Sequence, residues 1–129
     1  MIGILVIAHS AQLAAGIKEF VDQVTNDSVA IVVAGGTADG ELGTSVERIR
    51  AALGALGQVS GILVMVDFHS AAMCFEAAIE GLSLPPLQIA DAPLVEGTYL
   101  AAVEASAGAT LQQTAAAAIS ARTLEKIHP

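Results

Sequence analysis

The chain has 129 residues, is 54% apolar and only 14% charged, and carries 13 acidic against 5 basic side chains, for a formal net charge of -8. That length predicts one domain over residues 1–129. Five Lys and Arg cannot build the basic face of a nucleic-acid reader, the apolar content excludes disorder, and no run reaches the ~20 apolar residues of a membrane span.

The chain opens on Ile2–Ala8, a continuous apolar and β-branched run that reads as a central parallel strand buried on both faces. It lacks the basic start and cleavage site of a signal peptide, so none is expected. After His9-Ser10, the spacing of Leu13, Ile17, Phe20, Val21 and Val24 predicts a helix with these residues inward, up to a turn at Thr25-Asn26-Asp27. Ser28–Ala34 reads as the second strand, followed by a glycine-rich loop over 35–43. Thr44 with Glu47 forms a capping-box pattern, opening a helix that turns Val46, Ile49, Leu53 and Leu56 inward and closes at Gly57.

Ser60–Val66 is the third strand, ending at Asp67-Phe68-His69-Ser70. Ala72, Phe75, Ile79 and Leu82 mark the next helix, broken by Leu84-Pro85-Pro86, and Leu87–Ala90 is a short fourth strand. An alanine-rich helix follows Pro93–Thr98 and closes at Gly108. Thr110 with Gln113 opens a last helix that runs to about Lys126. The alanine tract reads as a helix packed closely on a neighbour.

Alternating strands and helices imply an α/β fold, a doubly wound and mostly parallel sheet of four to five strands with helices on both faces. The expected strand order is 2-1-3-4. Ligands of such sheets bind beyond the carboxyl ends of the strands, where the order reverses, here between the first and third strands. His9, Asp67, His69, Ser70 and the loop carrying Gly43, Thr44 and Ser45 all fall on that edge.

His9 reads as a nucleophile, a general base or a metal ligand, against a passive surface imidazole. Asp67 can tether one of its ring nitrogens and leave the other free, or can cap the following helix. Ser10, Thr44, Ser45 and Ser70 stand at helix starts, where capping explains them; the same amide-rich ends also hold phosphate. With no Lys or Arg in the cluster, an anion would rest on backbone amides and hydroxyls. His69 is open between a second metal ligand, a partner of His9 and an incidental exposed residue. Cys74, the only cysteine, reads as buried packing, and its solitude suits a reducing compartment. His128 reads as a frayed end.

The segments Ile7-Ala-His9-Ser10 with Leu13, Ala15-Gly16 and Glu19, Gly43-Thr44-Ser45, Val64-Met-Val-Asp67 with Ser70-Ala71, and Ala92-Pro-Leu-Val-Glu-Gly97 resemble the mannose-type enzyme IIA domains of the sugar phosphotransferase system. Within them they are most similar to the phosphotransferase subunits of phosphoenolpyruvate-dependent dihydroxyacetone kinases. The resemblance covers nearly the whole chain. It implies a cytoplasmic phosphotransferase in which His9 accepts a phosphoryl group from the histidine-containing phosphocarrier HPr, on Nε2, and passes it to ADP on a kinase subunit. It also implies a homodimer, and no permanently bound cofactor beyond the covalent phosphohistidine intermediate. His9, Asp67, Thr44 and Ser70 match family positions. At position 69 the family pattern has glycine, and here it is histidine.

A phosphoimidazole is energetic enough to rephosphorylate ADP, whereas a serine phosphate is not. An acidic body also suits a partner with a basic docking face. Two other readings compete. One is a small tetrapyrrole metal chelatase using His9, His69 and Asp67, against which Ser10-Ala11-Gln12 stands where Gly-Ser-Arg is expected. The other is a regulatory enzyme IIA-like module.

Overall fold

The structure is a computed structural model and describes residues 1–128. In chain order the elements are β1 (Ile2–Ala8), α1 (Ala11–Thr25), β2 (Ile31–Gly35), α2 (Val46–Ala55), β3 (Gly61–Val66), α3 (His69–Ala78), β4 (Leu87–Ala90), α4 (Leu94–Ser106) and α5 (Leu111–Ser120), with a 3-10 turn over Ala121–Thr123. The four strands form one sheet in the order β2-β1-β3-β4. Every pairing is parallel: Ile4 lies opposite Ile31 and Leu63, and Val64 opposite Ile89.

The apolar run of β1 becomes intelligible in this sheet. All seven of its residues are buried, because helices cover both faces. Ile2, Ile4 and Val6 pack with Ile17 and Val21 of α1, Ala101, Ala102 and Ala105 of α4, and Ala115 and Ala118 of α5. Leu5 and Ile7 point the other way, onto Ile49 and Ala52 of α2 and Ala71, Phe75 and Ala78 of α3. Each large side chain buried here contributes roughly 1.5–3 kcal/mol of transfer free energy. The alanines let α4 and α5 lie close to each other and to the sheet. At Gly97 an added Cβ would stand 2.8 Å from Met65 Cε and 3.3 Å from the Ala118 carbonyl oxygen, so a methyl group there would have to displace the end of the Met65 side chain.

Several boundaries differ from the sequence expectation. On α1 the buried residues are Ala14, Ile17, Val21 and Thr25, whereas Leu13, Phe20 and Val24 are exposed. The apolar stripe is thus wider than the part the core covers. β2 begins at Ile31 rather than Ser28. The box expected from Thr44 and Glu47 does not form: Ser45 is the N-cap of α2, and its hydroxyl accepts from the Arg48 N–H at 3.2 Å. Gly57, at φ +75°, follows the C-cap Leu56.

α3 stops at Ala78, well before Leu82, which is exposed. Its N-cap residue is Phe68, not Asp67. Thr110 and Gln113 form the expected reciprocal box, but α5 ends at Ser120 and not near Lys126. Beyond it, Lys126 pairs with Glu96 in the first turn of α4 and holds that carboxyl below its usual range. Among the described residues no helix is long and apolar enough to cross a membrane.

Candidate active site

β1 and β3 lie side by side, so the residues that follow them meet. The Asp67 N–H donates to the Ile7 carbonyl at 3.2 Å, which extends the β1–β3 ladder to the edge of the sheet. From there the Asp67 carboxylate takes His9 by both its backbone and its side chain. Oδ2 accepts from the His9 backbone N–H at 2.7 Å, and Oδ1 is 2.9 Å from His9 Nδ1. Oδ1 also accepts from the Phe68 N–H at 2.8 Å. The carboxylate side chain is only 11% exposed and the imidazole 30%. An ionised, acceptor-only carboxylate facing Nδ1 selects the tautomer protonated there, and Nε2 then carries the lone pair.

Nε2 looks outward. Ser70 Oγ, in the first turn of α3, lies 3.1 Å from it and is its hydrogen-bond donor in this tautomer. Phe68 and the imidazole pack edge to face, with centroids 5.5 Å apart and planes at 73°. The glycine loop is tied to the same turn: the Gly43 N–H donates to the His9 carbonyl at 2.8 Å, with Gly43 at φ +142°, a conformation that favours glycine. Thr44 follows in the same loop, half-buried.

Ser10 and Ser45 are occupied as caps, their hydroxyls accepting from Leu13 N–H and Arg48 N–H. α3 differs, because its N-cap Phe68 offers no side-chain hydrogen bond. Its first amides, beside Ser70 and Nε2, therefore keep their capacity to bind an anion. The cluster is also less devoid of cations than the sequence implied. Arg48 Nη1 donates to the Gly35 carbonyl at 3.4 Å and brings a half-buried guanidinium to the end of β2.

His69 does not join His9. It is exposed and lines a cleft of about 410 Å³ between the ends of β3 and β4, with Asp67, Phe68 and Asp91. Among the described residues no three His, Cys, Asp or Glu side chains gather as a metal site, and the convergence of His9, His69 and Asp67 that a chelatase needs is not formed. Cys74 is half-buried rather than buried, packed at the margin of the α2–α3 core. His128 is exposed, 3.7 Å from Glu125. Sequence reasoning missed Phe68 and Arg48. In a chain with only 3% aromatic residues, a phenylalanine inside the Asp67–Ser70 segment was the one available signal for the first, and it does not by itself separate an exposed ring from a core one.

Fold and site together define a parallel α/β domain of order 2-1-3-4 with one carboxylate-tethered imidazole at its topological switch point. The chain matches the family described as the fructose IIA component of the phosphotransferase system (EIIA-man) over residues 3–115, and it belongs to that family. It is similar to the phosphoryl donor subunit DhaM of the PEP-dependent dihydroxyacetone kinase 2 of Listeria innocua: 36% identical, over 81% of this chain and 86% of that protein. The DhaM phosphotransferase subunit of the Lactococcus lactis PTS-dependent dihydroxyacetone kinase is 32% identical, over 85% of this chain and 87% of the relative. Against Escherichia coli DhaM the identity is 32% over 88% of this chain, which spans only 25% of that longer protein. The crystal structure of EF1359, a protein of unknown function, matches with a TM-score of 0.77 at 32% identity, over 92% of this chain and 93% of the other.

Proposed function

We propose that this chain is a phosphocarrier, the phosphotransferase component of a dihydroxyacetone kinase system, and that His9 Nε2 carries the phosphoryl group. One observation carries the reading: Asp67 holds Nδ1 at 2.9 Å and leaves Nε2 as the outward nucleophile beside Ser70. The DhaM names of the relatives support the system to which it belongs.

In the first step the Nε2 lone pair attacks phosphorus on the phosphoimidazole of HPr. The new N–P bond forms as the old one breaks, and its electron pair returns to the donor nitrogen. In the second step a terminal oxygen of ADP, held on the kinase subunit, attacks the same phosphorus. The pair of the breaking N–P bond returns to Nε2. The Nδ1 proton stays in place throughout. Asp67 offsets the positive charge that develops on the ring, and it holds the ring where both partners reach it.

The Ser70 hydroxyl turns from Nε2 to a phosphoryl oxygen, and the first amides of α3 point at the same anion. Gly43, Thr44 and Ser45, on the loop bonded to the His9 carbonyl, are its further supports, with Ser10 holding the first turn of α1 in place. His69 lies outside this set. The phosphohistidine is a covalent intermediate, and no resident cofactor is needed.

The carrier works in the cytoplasm with HPr and the kinase subunit, as one domain that pairs with a second copy. An exposed apolar groove between α1 and α4, lined by Leu13, Gly16, Phe20 and Val95, supports that pairing. The test is incubation with labelled phosphoenolpyruvate, enzyme I and HPr. The expected product is acid-labile, base-stable phosphate on the wild type and none on His9→Ala. A His9→Ala protein that still takes the label would refute the assignment.

A further inference from the structure

Acids outnumber bases 13 to 5 in this chain, and three of the five cations are paired: Lys18 with Asp22, Arg122 with Asp91 and Lys126 with Glu96. Arg48 and Arg50, both on α2, have no carboxylate partner among the described residues and bond to backbone carbonyls instead. Arg48 stands at the end of β2. Arg50 faces α3, where its Nε donates to the carbonyl of Ala78, the last residue of that helix, at 2.8 Å. That bond fixes the guanidinium and leaves both Nη groups without a partner among the described residues, on an exposed side chain. Beside it, Leu53, Gly54, Leu82, Ser83 and Leu84 line a cleft of about 260 Å³. Leu82 is exposed, and nothing stands within 4 Å of a Cβ built on Gly54. Glycine in a helix costs roughly 1 kcal/mol relative to alanine, and the chain's own packing does not require it there. Pro85-Pro86 follow at once and stiffen the wall. α2 and α3 run back from the edge that carries His9, and these residues precede β3 and β4, so the cleft lies toward the opposite edge of the sheet.

We propose that this cleft is a docking site for a segment of a partner protein that carries a leucine-sized side chain next to a carboxylate. Charge selects the occupant. A chain of net charge -8 repels acidic segments over most of its surface, and Arg50 offers a free, held guanidinium that takes a carboxylate through two N–H groups. Volume separates a segment from a small molecule. Pockets for free ligands span roughly 300–1,000 Å³, and this cleft is smaller, the size for one or two side chains of a chain that continues outside it. Leu53, Leu82 and Leu84 supply the apolar wall, and the missing side chain of Gly54 supplies the notch. Glu47 and Glu80 are exposed nearby on the sequence and neither pairs with Arg50, so a second carboxylate on the segment is disfavoured. The proposal does not depend on the phosphocarrier reading.

The test is a nitrogen–proton NMR titration of the full chain with the blocked peptide acetyl-Leu-Glu-Leu-amide, its Gln counterpart and octanoate. The Glu peptide should shift the amides of Leu53, Gly54 and Leu82 to Leu84 and saturate in the millimolar range. The Gln peptide should bind about tenfold more weakly, the loss of a charge-assisted hydrogen bond. Arg50→Gln should bind the Glu peptide about tenfold more weakly, and Arg50→Lys should fall between, because it keeps the charge and loses the fork. Gly54→Leu leaves Arg50 and its bond to Ala78 in place but fills the notch, and should abolish binding with the rest of the spectrum unchanged. Equal binding of the Glu and Gln peptides would overturn the proposal, as would shifts confined to other residues or no saturable shift at all. Octanoate binding more tightly than the peptide would overturn it in favour of a small-molecule site.

Discussion

Asp67 makes three contacts with one carboxylate, and two of them end on His9. An asparagine side chain in its place could not accept from all three donors, and its NH₂ could face Nδ1 only if the imidazole proton moved to Nε2. Asp67→Asn should therefore slow phosphoryl transfer by about tenfold to a hundredfold, the equivalent of one hydrogen bond to a charged group. Nitrogen NMR of His9 should show the tautomer protonated at Nε2, a result that loss of stability alone would not produce. Ser70→Ala removes a single neutral hydroxyl at 3.1 Å, and the expected loss is about threefold to tenfold in the same assay. A wild-type rate in Ser70→Ala would leave the α3 amides as the support for the phosphoryl group. His9, Asp67 and Ser70 were legible because polar residues at the ends of adjacent parallel strands must converge. Phe68 was not, because an apolar residue beside an apolar strand reads as core unless its exposure is known. Arg48 was not, because its reach to Gly35 depends on how α2 crosses β2.

At the scale of elements, the approach of α1 to the end of β2 places the His9-Ser10 turn. A Cβ on Gly35 would stand 2.7 Å from the Ser10 carbonyl oxygen and 2.8 Å from Ala11 Cα, both of them backbone atoms that cannot yield alone. Gly35→Ala should cost about 1–3 kcal/mol as overpacking and should displace the first turn of α1. Lower thermal stability together with slower transfer is the expected pair of outcomes, and unchanged transfer would show that the turn is held from β1 alone. Thr110→Ala is the contrasting case. It breaks the capping box of α5 and should cost about 1 kcal/mol, roughly 3–5 °C in Tm, with no change in transfer. The Thr110 box was readable because both its partners are local in sequence. The Thr44–Glu47 pattern has the same spacing, yet the chain enters α2 one residue later, at Ser45. Spacing alone does not determine which of two adjacent hydroxyls takes the extended backbone of a cap.

On the scale of the whole molecule, the α1 stripe poses a different problem. Leu13, Phe20 and Val24 have the helical periodicity of a core face, yet the core uses only Ala14, Ile17, Val21 and Thr25. Periodicity reports that a face avoids water, not whether it is covered by its own chain or by another. Val95 and Val103 of α4 are exposed as well, and Phe20 stacks on Tyr99 at 5.9 Å, tying the two helices into one apolar surface. Gly16 lies in the groove with nothing within 4 Å of where its Cβ would be. The chain's own packing therefore does not require glycine there, although glycine in a helix costs roughly 1 kcal/mol relative to alanine. A second helix pressed into the groove would require it. Such a contact would be isologous, the same patch meeting itself across a two-fold axis. Light scattering should then report about twice the 13.0 kDa chain mass for the wild type. Phe20→Glu places a like charge opposite itself at that axis and should return the mass of one chain. Gly16→Leu should do the same by filling the groove without adding charge. His9 is on the sheet edge rather than on this helix face, so both variants should still label from phosphoramidate at the wild-type rate. A Phe20→Glu protein that keeps the doubled mass would mean that the pairing uses another surface.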